Sequence, residues 1–461
     1  MTLRFYDVGM FPTDAEKQRS RKIEDYYSLY RGNFGLVLRY FRSQKEKENQ
    51  LEVVQNVAGM LSRIFGDLMF TEDVKVRVTD KGLQERVDEF LIRNNAQNKF
   101  HESALTQSYA GKAYFEMYLK DGLAYICELN PANVYPQYDS MFAYGEPRSI
   151  IISWECEISK EKYRFIKTHS VGLITYELRK IKTSGEDVGH ADLAILDPNL
   201  PEWEETGLDY IPVYTINNVK SGREVEGLSD YDDLLSLFEE LTRNQSQIAT
   251  QLKKHADAKM AVPPGVLDEH GRVRVESTEM FEVPSGAEDG MVIPQYIVNG
   301  NPLLDSAFRE QEKLIEAIAR VAEVSTLLMD WNISGGAERV GALKLRLLRT
   351  MSKVKRKLRP YRSGIRDMTV DAMKWEGIAP NLTMKDVTVE FGDGLPVDML
   401  EQTQIETMRY NAGLQTLPDA IRNLDDIEGD TLTEKVAALD AEKEKQTAAA
   451  MNGIPSFSFG S

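Results

Sequence analysis

Two hydrophobic periods run through this chain, and the places where one gives way to the other mark out its parts. Residues 15–30 and 48–69 predict helices, and in the latter apolar residues recur every three or four positions, the spacing of one helix face. In the second stretch Leu51, Val54, Val57, Ala58, Leu61, Ile64, Phe65 and Leu68 carry the pattern. Residues 74–78 (VKVRV) alternate and predict a strand, and residues 82–94 and 99–110 predict two more helices. The period then falls to two. Runs rich in Tyr, Phe, Ile and Val at 112–119, 123–128, 149–157, 162–169 and 171–180 predict strands, with Gly, Asp and Asn at the breaks. Residues 183–209 are acidic and aperiodic and predict a surface loop.

Helical spacing returns in two long segments. The first follows Gly227, with Ser229 placed as N-cap and Asp232 three residues on, as in a capping box. Asp230, Asp232 and Asp233 fall at the positive end of its dipole, and Lys253, Lys254 and Lys259 at the negative end. Leu234, Leu237, Phe238, Leu241, Ile248 and Leu252 form its stripe. The second covers residues 303–329, with Leu304, Phe308, Leu314, Ile315, Ile318, Val321, Ala322 and Leu328 on one face. Each would be roughly 40 Å long, and matched lengths predict that they lie side by side. Between them lies a small β-rich insert. VPPG at 262–265 ends the first helix, VRVES and MVIPQYIV read as short strands, and NGNP at 299–302 reads as a turn. After the second helix come a glycine loop, WNISGGAE at 331–338, and a further long helix. Pro360 should kink that helix, although its apolar spacing resumes as far as Trp375. Residues 383–391 (TMKDVTVEF) predict a strand, residues from 397 onward predict acidic helices, and residues from 449 predict a flexible tail.

Charge changes this picture more than bulk composition does. The chain has 461 residues, 42% of them hydrophobic, which suits a soluble protein of several domains. Its formal net charge is −17, yet residues 339–366 hold eleven Lys and Arg and no Asp or Glu. A block of one sign in a chain of the other marks a surface that meets phosphates or an acidic face. Leu343, Leu347, Met351, Val354 and Leu358 recur inside the block, so one face is for packing and only the other is free for charge. Lys344, Arg346, Lys353 and Lys357, with Arg339 at the start of the block, are the candidates for phosphate contact. Three readings stay open: a DNA-facing helix, pairing with acidic residues of a neighbouring subunit or of another part of the chain, or a solvated face. A pI near 5.0 argues against bulk non-specific nucleic-acid binding but not against contact along one local surface.

No apolar run reaches the length of a membrane span, and the N-terminal stretch has no secretory apolar core. Cys127 and Cys156 are too few for a disulfide framework and are expected as two buried thiols in a reducing cytoplasm. The chemistry of an enzyme is not visible. The nearest approach to a phosphate-binding loop, at 336–344, has the wrong spacing and no preceding strand. H-E-x-x-H, C-x-x-C and G-x-S-x-G do not occur. His101, His169, His190, His255 and His270 are scattered and are expected on the surface or on helices. The carboxylates at 230–233 are expected to form a solvated N-terminal turn, not a metal site. The expectation is therefore no catalytic residue, no metal, no cofactor and no membrane contact.

Several stretches together resemble the portal (head–tail connector) proteins of tailed bacteriophages, in their siphophage branch. GLSDYDDLLSLFEELTRNQSQI at 227–248 is similar to the start of that family's first stem helix. The order helix, knob, helix matches stem, clip and stem. ISGGAERVGALKLRL at 333–347 is similar to the family's loop-to-helix pattern, except that Glu338, Arg339 and Val340 lengthen it. VTVEFGDGLPVD at 387–398 and ELNPANVYPQYD at 128–139 also resemble family segments. The resemblance implies an α+β fold. Residues 1–226 would form an α/β wing, 227–260 and 303–329 two stem helices, and 261–302 a β-rich clip. Residues 330–340 would form a tunnel loop with Trp331, Asn332, Ser334, Gly335 and Gly336. Residues 341–396 would be a basic wing helix and strand, and 397–461 a helical crown with its tail. It further implies a ring, commonly of twelve subunits, at one capsid vertex of a virion assembled in the bacterial cytoplasm. Double-stranded DNA would pass through it. The packaging terminase, head-completion adaptors, capsid and scaffold proteins would be its partners, with Arg272, Arg274, Glu276 and Tyr296 of the clip as contact residues. Two other readings use the same features: a DNA-binding subunit of a processing enzyme, and a coiled-coil adaptor. The missing catalytic groups count against the first, and the strand-rich first half against the second.

Overall fold

The computed structural model describes residues 11–36, 53–138, 145–182, 187–220, 225–256, 260–262, 280–282, 295–296, 302–329, 340–392, 399–425, 432–439 and 441. Trp331, Asn332, Ser334, Gly335, Gly336, Arg339, Arg272, Arg274 and Glu276 lie outside the described residues, and so do VRVES and the tail. The chain divides into two units, residues 1–334 with 346–394, and residues 335–345 with 395–461.

The first unit opens with helices α1 (Asp14–Tyr30) and α2 (Val57–Met69), strand β1 (Lys75–Val78), and helices α3 (Lys81–Arg93) and α4 (Ala96–Ala110). Local chemistry sets these bounds. A reciprocal capping box between Thr13 and Glu16 starts α1. The Asn56 side chain accepts from Gly59 N–H at the start of α2, so that helix begins at Val57 and not at 48 as its apolar spacing suggests. Asn95, at φ 49°, turns the chain between α3 and α4, and Gly111, at φ +79°, ends α4.

Next come β2 (Lys112–Lys120), β3 (Leu123–Leu129), β4 (Val134–Gln137), β5 (Ser149–Ile158), β6 (Glu161–Ser170), β7 (Leu173–Ile181), β8 (Asp187–Ala191), β9 (Trp203–Glu205) and β10 (Val213–Asn217). Strands β4 to β8 form an antiparallel meander, with β9 paired to the start of β7. The acidic stretch 183–209 thus supplies two strands where its composition predicts only a loop; backbone pairing to β7 overrides the weak apolar pattern. A second sheet has the order β10-β2-β3. Its apolar face (Phe115, Met117, Ala124, Ile126, Ile216) joins the helices in the main core.

Helices α5 (Leu235–Ala256) and α6 (Pro302–Ala322) pack against each other, as their stripes predict. They have 22 and 21 residues, about 33 Å each and shorter than expected. Half of the Ser229–Asp232 box is made: Ser229 N–H donates to Asp232 Oδ2 at 2.9 Å, while Ser229 Oγ accepts from Tyr231 N–H at 3.0 Å, and a turn separates the pair from the first helical residue. Leu234, Phe238 and Leu241 at the start of α5 and Ile318, Ala319 and Ala322 at the end of α6 are buried in the main core. Leu252 and Phe308, farther from those ends, are exposed. The insert contributes β11 (Met260–Val262), β12 (Met280–Glu282) and β13 (Gln295–Tyr296) in one small sheet, with Tyr296 in its short edge strand.

Helix α7 (Val340–Trp375) starts in the second unit and runs through the first for most of its 36 residues, continuing through Pro360. Leu347, Met351, Val354 and Leu358 are buried, as their spacing predicts. Strand β14 (Val387–Glu390) then pairs antiparallel with β1. In the second unit α8 (Met399–Asn411) packs on α9 (Leu417–Asp425), which Thr416 caps through Asp419. The fold is α+β. Two expectations about single side chains change. The cysteines are free thiols but not buried: Cys127 is exposed and Cys156 half-buried. His169 is fully buried, 3.1 Å from Glu116, which lies beside Lys167.

Candidate functional site

Four chain segments converge beneath the basic helix: the end of α4, the loop after β10, the turn before α5 and the middle of α7. Backbone bonds hold the first three. Asn218 N–H donates to Gly111 O at 2.9 Å, Asp230 N–H to Ser108 O at 2.9 Å, and Leu228 N–H to Val219 O at 3.0 Å. The strands of chain approach so closely that a Cβ on Gly227 would sit 2.1 Å from Gly111 O. Only glycine fits there.

Lys353 and Lys357, one helical turn apart on α7, reach into this junction. Lys357 Nζ lies 2.6 Å from Asp230 Oδ2 and 2.7 Å from Asn218 Oδ1. Lys353 Nζ lies 3.0 Å from Asp230 Oδ1 and 3.0 Å from the carbonyl of Ala322, at the negative end of the α6 dipole. Ser108 Oγ donates to Asp230 Oδ2 at 2.8 Å. Both ammonium groups stand over the Phe65 ring, at 4.7 and 4.9 Å. Burial alone would raise the Asp230 pKa; attraction from Lys357 and Lys353 and hydrogen bonds from Lys357 and Ser108 outweigh it and hold the carboxyl well below the usual range. Burial lowers the Lys357 pKa, and Asp230 opposes that shift.

These contacts correct two expectations. Lys353 and Lys357 are not phosphate-facing, because both are buried and paired to Asp230. Asp230 is not part of a solvated helix start; its side chain is 3% exposed. A signal for this was present. Thr350, Lys353, Lys357 and Tyr361 follow the three- and four-residue spacing of the apolar stripe one position over, and all four are buried.

The rest of the basic block divides by partner. Glu323, just past α6, takes Arg356 at 2.8 Å and Arg349 at 3.7 Å. Arg366 lies 3.5 Å from Asp367. Much of the block is therefore neutralised within the chain. Lys344 and Arg346 are exposed. Lys355, Arg359 and Arg362 share an exposed ridge and have no ion-pair partner among the described residues. The guanidinium of Arg362 stands 5.7 Å from the Phe391 ring centroid.

A second buried carboxylate lies farther along α7. Asp371 accepts from Tyr214 OH at 2.7 Å, and burial pushes its pKa up to about 6, with Tyr214 working against the shift. With a folded pKa above the unfolded value, its charge opposes folding once the pH has risen through about 6. Asp371→Asn is expected to raise stability at pH 8 by about 1 kcal/mol and to change it little at pH 4, which urea unfolding at the two pH values measures.

Among the described residues there is no cluster of metal-capable side chains, and no helix is long and apolar enough to cross a membrane. What the fold presents is a helix pair rising from an α+β core, locked at its base by charge beneath a long basic helix. The sequence profile of the family described as phage portal protein, SPP1 Gp6-like, matches residues 12–449. The chain belongs to that family. No individually curated protein matches the sequence.

Proposed function

We propose that this chain is the subunit of a portal ring at one capsid vertex, a channel through which double-stranded DNA is packaged and later ejected. The family match over residues 12–449 carries the reading. In it residues 1–226 are the wing, α5 and α6 the stem, the small sheet between them the clip, and residues 397–461 the crown. The clip, including Tyr296 with Arg272, Arg274 and Glu276, meets the packaging terminase and later the head-completion proteins. The loop with Trp331, Asn332, Ser334, Gly335 and Gly336 borders the tunnel.

Electrostatics supports passage without retention. Twelve chains of charge −17 give a ring of about −200, which repels phosphates and keeps contact weak and blind to sequence. Lys344 and Arg346, with Arg339, are the proposed residues for brief phosphate contact, each adding a salt-sensitive term. The protein then works in the virion, assembled in the host cytoplasm.

Negative-stain microscopy of the purified protein tests this. Rings with a hole of duplex width are expected, and a particle that stays monomeric at every concentration counts against the reading. In a packaging assay, Lys344→Glu and Arg346→Glu, each singly, are expected to lower DNA uptake while leaving the subunit folded.

A further inference from the structure

The ridge of Lys355, Arg359 and Arg362 is an electrostatic oddity. Its residues are spaced by four and three, so like charges stand side by side on one helix face, an arrangement that costs stability. The neighbouring cations Lys353, Lys357, Arg349, Arg356 and Arg366 have carboxylate partners within the chain. Beside the ridge runs a groove of about 300 Å³ with an apolar floor of Met351, Val354, Leu358 and Phe391. Lys355, Arg359 and Arg362 form its rim. A groove of this make fits an apolar anchor flanked by carboxylates.

The same chain carries such an anchor elsewhere. Strand β9 pairs with β7 on one side, and all three of its residues are exposed. Trp203 is 57% exposed and stands between Glu202 and Glu204, with Glu205 next. Tyr176 OH donates to Glu204, while Glu202 and Glu205 have no ion pair among the described residues. An exposed Trp on a short edge strand is the kind of residue that anchors interfaces.

We propose that β9 of one subunit docks into the α7 groove of the next, Trp203 on the apolar floor and Glu202 and Glu205 against Lys355, Arg359 and Arg362. The contact joins two different faces of one chain, so it is head-to-tail, the type that builds a ring when its rotation closes. This inference rests on the ring reading above and names the surfaces that make the ring.

Charge reversal on exposed residues tests it without touching the core. Lys355→Glu with Arg359→Glu, and separately Glu202→Lys with Glu205→Lys, are each expected to raise the protein concentration needed for rings about tenfold or more. The four changes together should restore assembly, and Trp203→Ala should weaken it. Native mass spectrometry reads the oligomer, and circular dichroism confirms the fold. Rings from either reversed pair at the wild-type concentration, or no rescue in the fourfold variant, overturn the interface while leaving the ring reading intact. Unchanged rings with reduced DNA packaging place the ridge against DNA and also overturn it. A wild-type chain that never forms rings defeats both the ring reading and this interface.

Discussion

Asp230→Ala is expected to destabilise the first unit by about 3–5 kcal/mol, the largest effect of any single replacement proposed for this chain. The carboxylate is the common partner of two buried ammonium groups. Removing it leaves Lys357 with Asn218 and the Phe65 ring, and Lys353 with the Ala322 carbonyl and the same ring, but neither with a carboxylate among the described residues. These contacts do not offset the loss of solvent around a charge. Asp230→Asn keeps an oxygen in place and should cost roughly half as much. The pH dependence has a definite sign. The folded pKa of Asp230 is depressed, so its contribution is complete above the unfolded value of 3.8 and is lost as the pH falls through the folded value. The gap between wild type and Asp230→Ala should therefore hold from neutral pH down to about 4 and shrink only in stronger acid, which denaturant unfolding at a series of pH values will show.

The second large effect is steric. Gly227→Ala places a methyl group 2.1 Å from Gly111 O and 2.7 Å from Asn218 N, both backbone atoms with no side-chain freedom to yield. Separating the segments stretches the Asn218–Gly111 hydrogen bond and shifts Asp230 relative to α7. A loss of about 3 kcal/mol is expected. Gly377→Ala is the control: its φ is +73° but its Cβ would meet open space, so about 1 kcal/mol of backbone strain is all that should appear. Equal losses at the two glycines in urea unfolding would mean that the junction tolerates expansion.

Much of this architecture could be read from residue order. Alternation places strands β2, β3, β5, β6 and β7, and three- and four-residue spacing places the helices, the pair α5–α6 and the packing face of α7. The family resemblance rested on segments at 227–248, 333–347 and 387–398, and the family profile spans them. Several of the differences share one cause: the partner that buries a polar residue lies far along the chain. Lys353 and Lys357 stand by spacing among the candidates for phosphate contact and Asp230 in a solvated turn, yet each brings the partner that makes burial tolerable for the others. Strands β8 and β9 were hidden because acidic residues carry no strand period, and only their partner β7 aligns them. His169 was lost in the same way, since a histidine in an alternating strand takes its burial from the sheet and not from its own type. Periodicity tells which face a residue occupies; it does not tell that two charges from positions 230 and 357 will meet.

The first unit is also closed by its own late residues. Arg93 at the end of α3 is paired with Glu376, 283 positions further on, and β1 finds its only strand partner among the described residues in β14. Ser103 likewise waits for Tyr361. On the ribosome, the N-terminal helices and β1 must therefore stand incomplete until Glu376 and Val387–Glu390 have been made. The groove beside α7, which needs Phe391 for its floor, cannot form before that residue is made. A chain truncated before Val387 should therefore lack both the partner of β1 and the floor of the groove, and stand with an open strand edge.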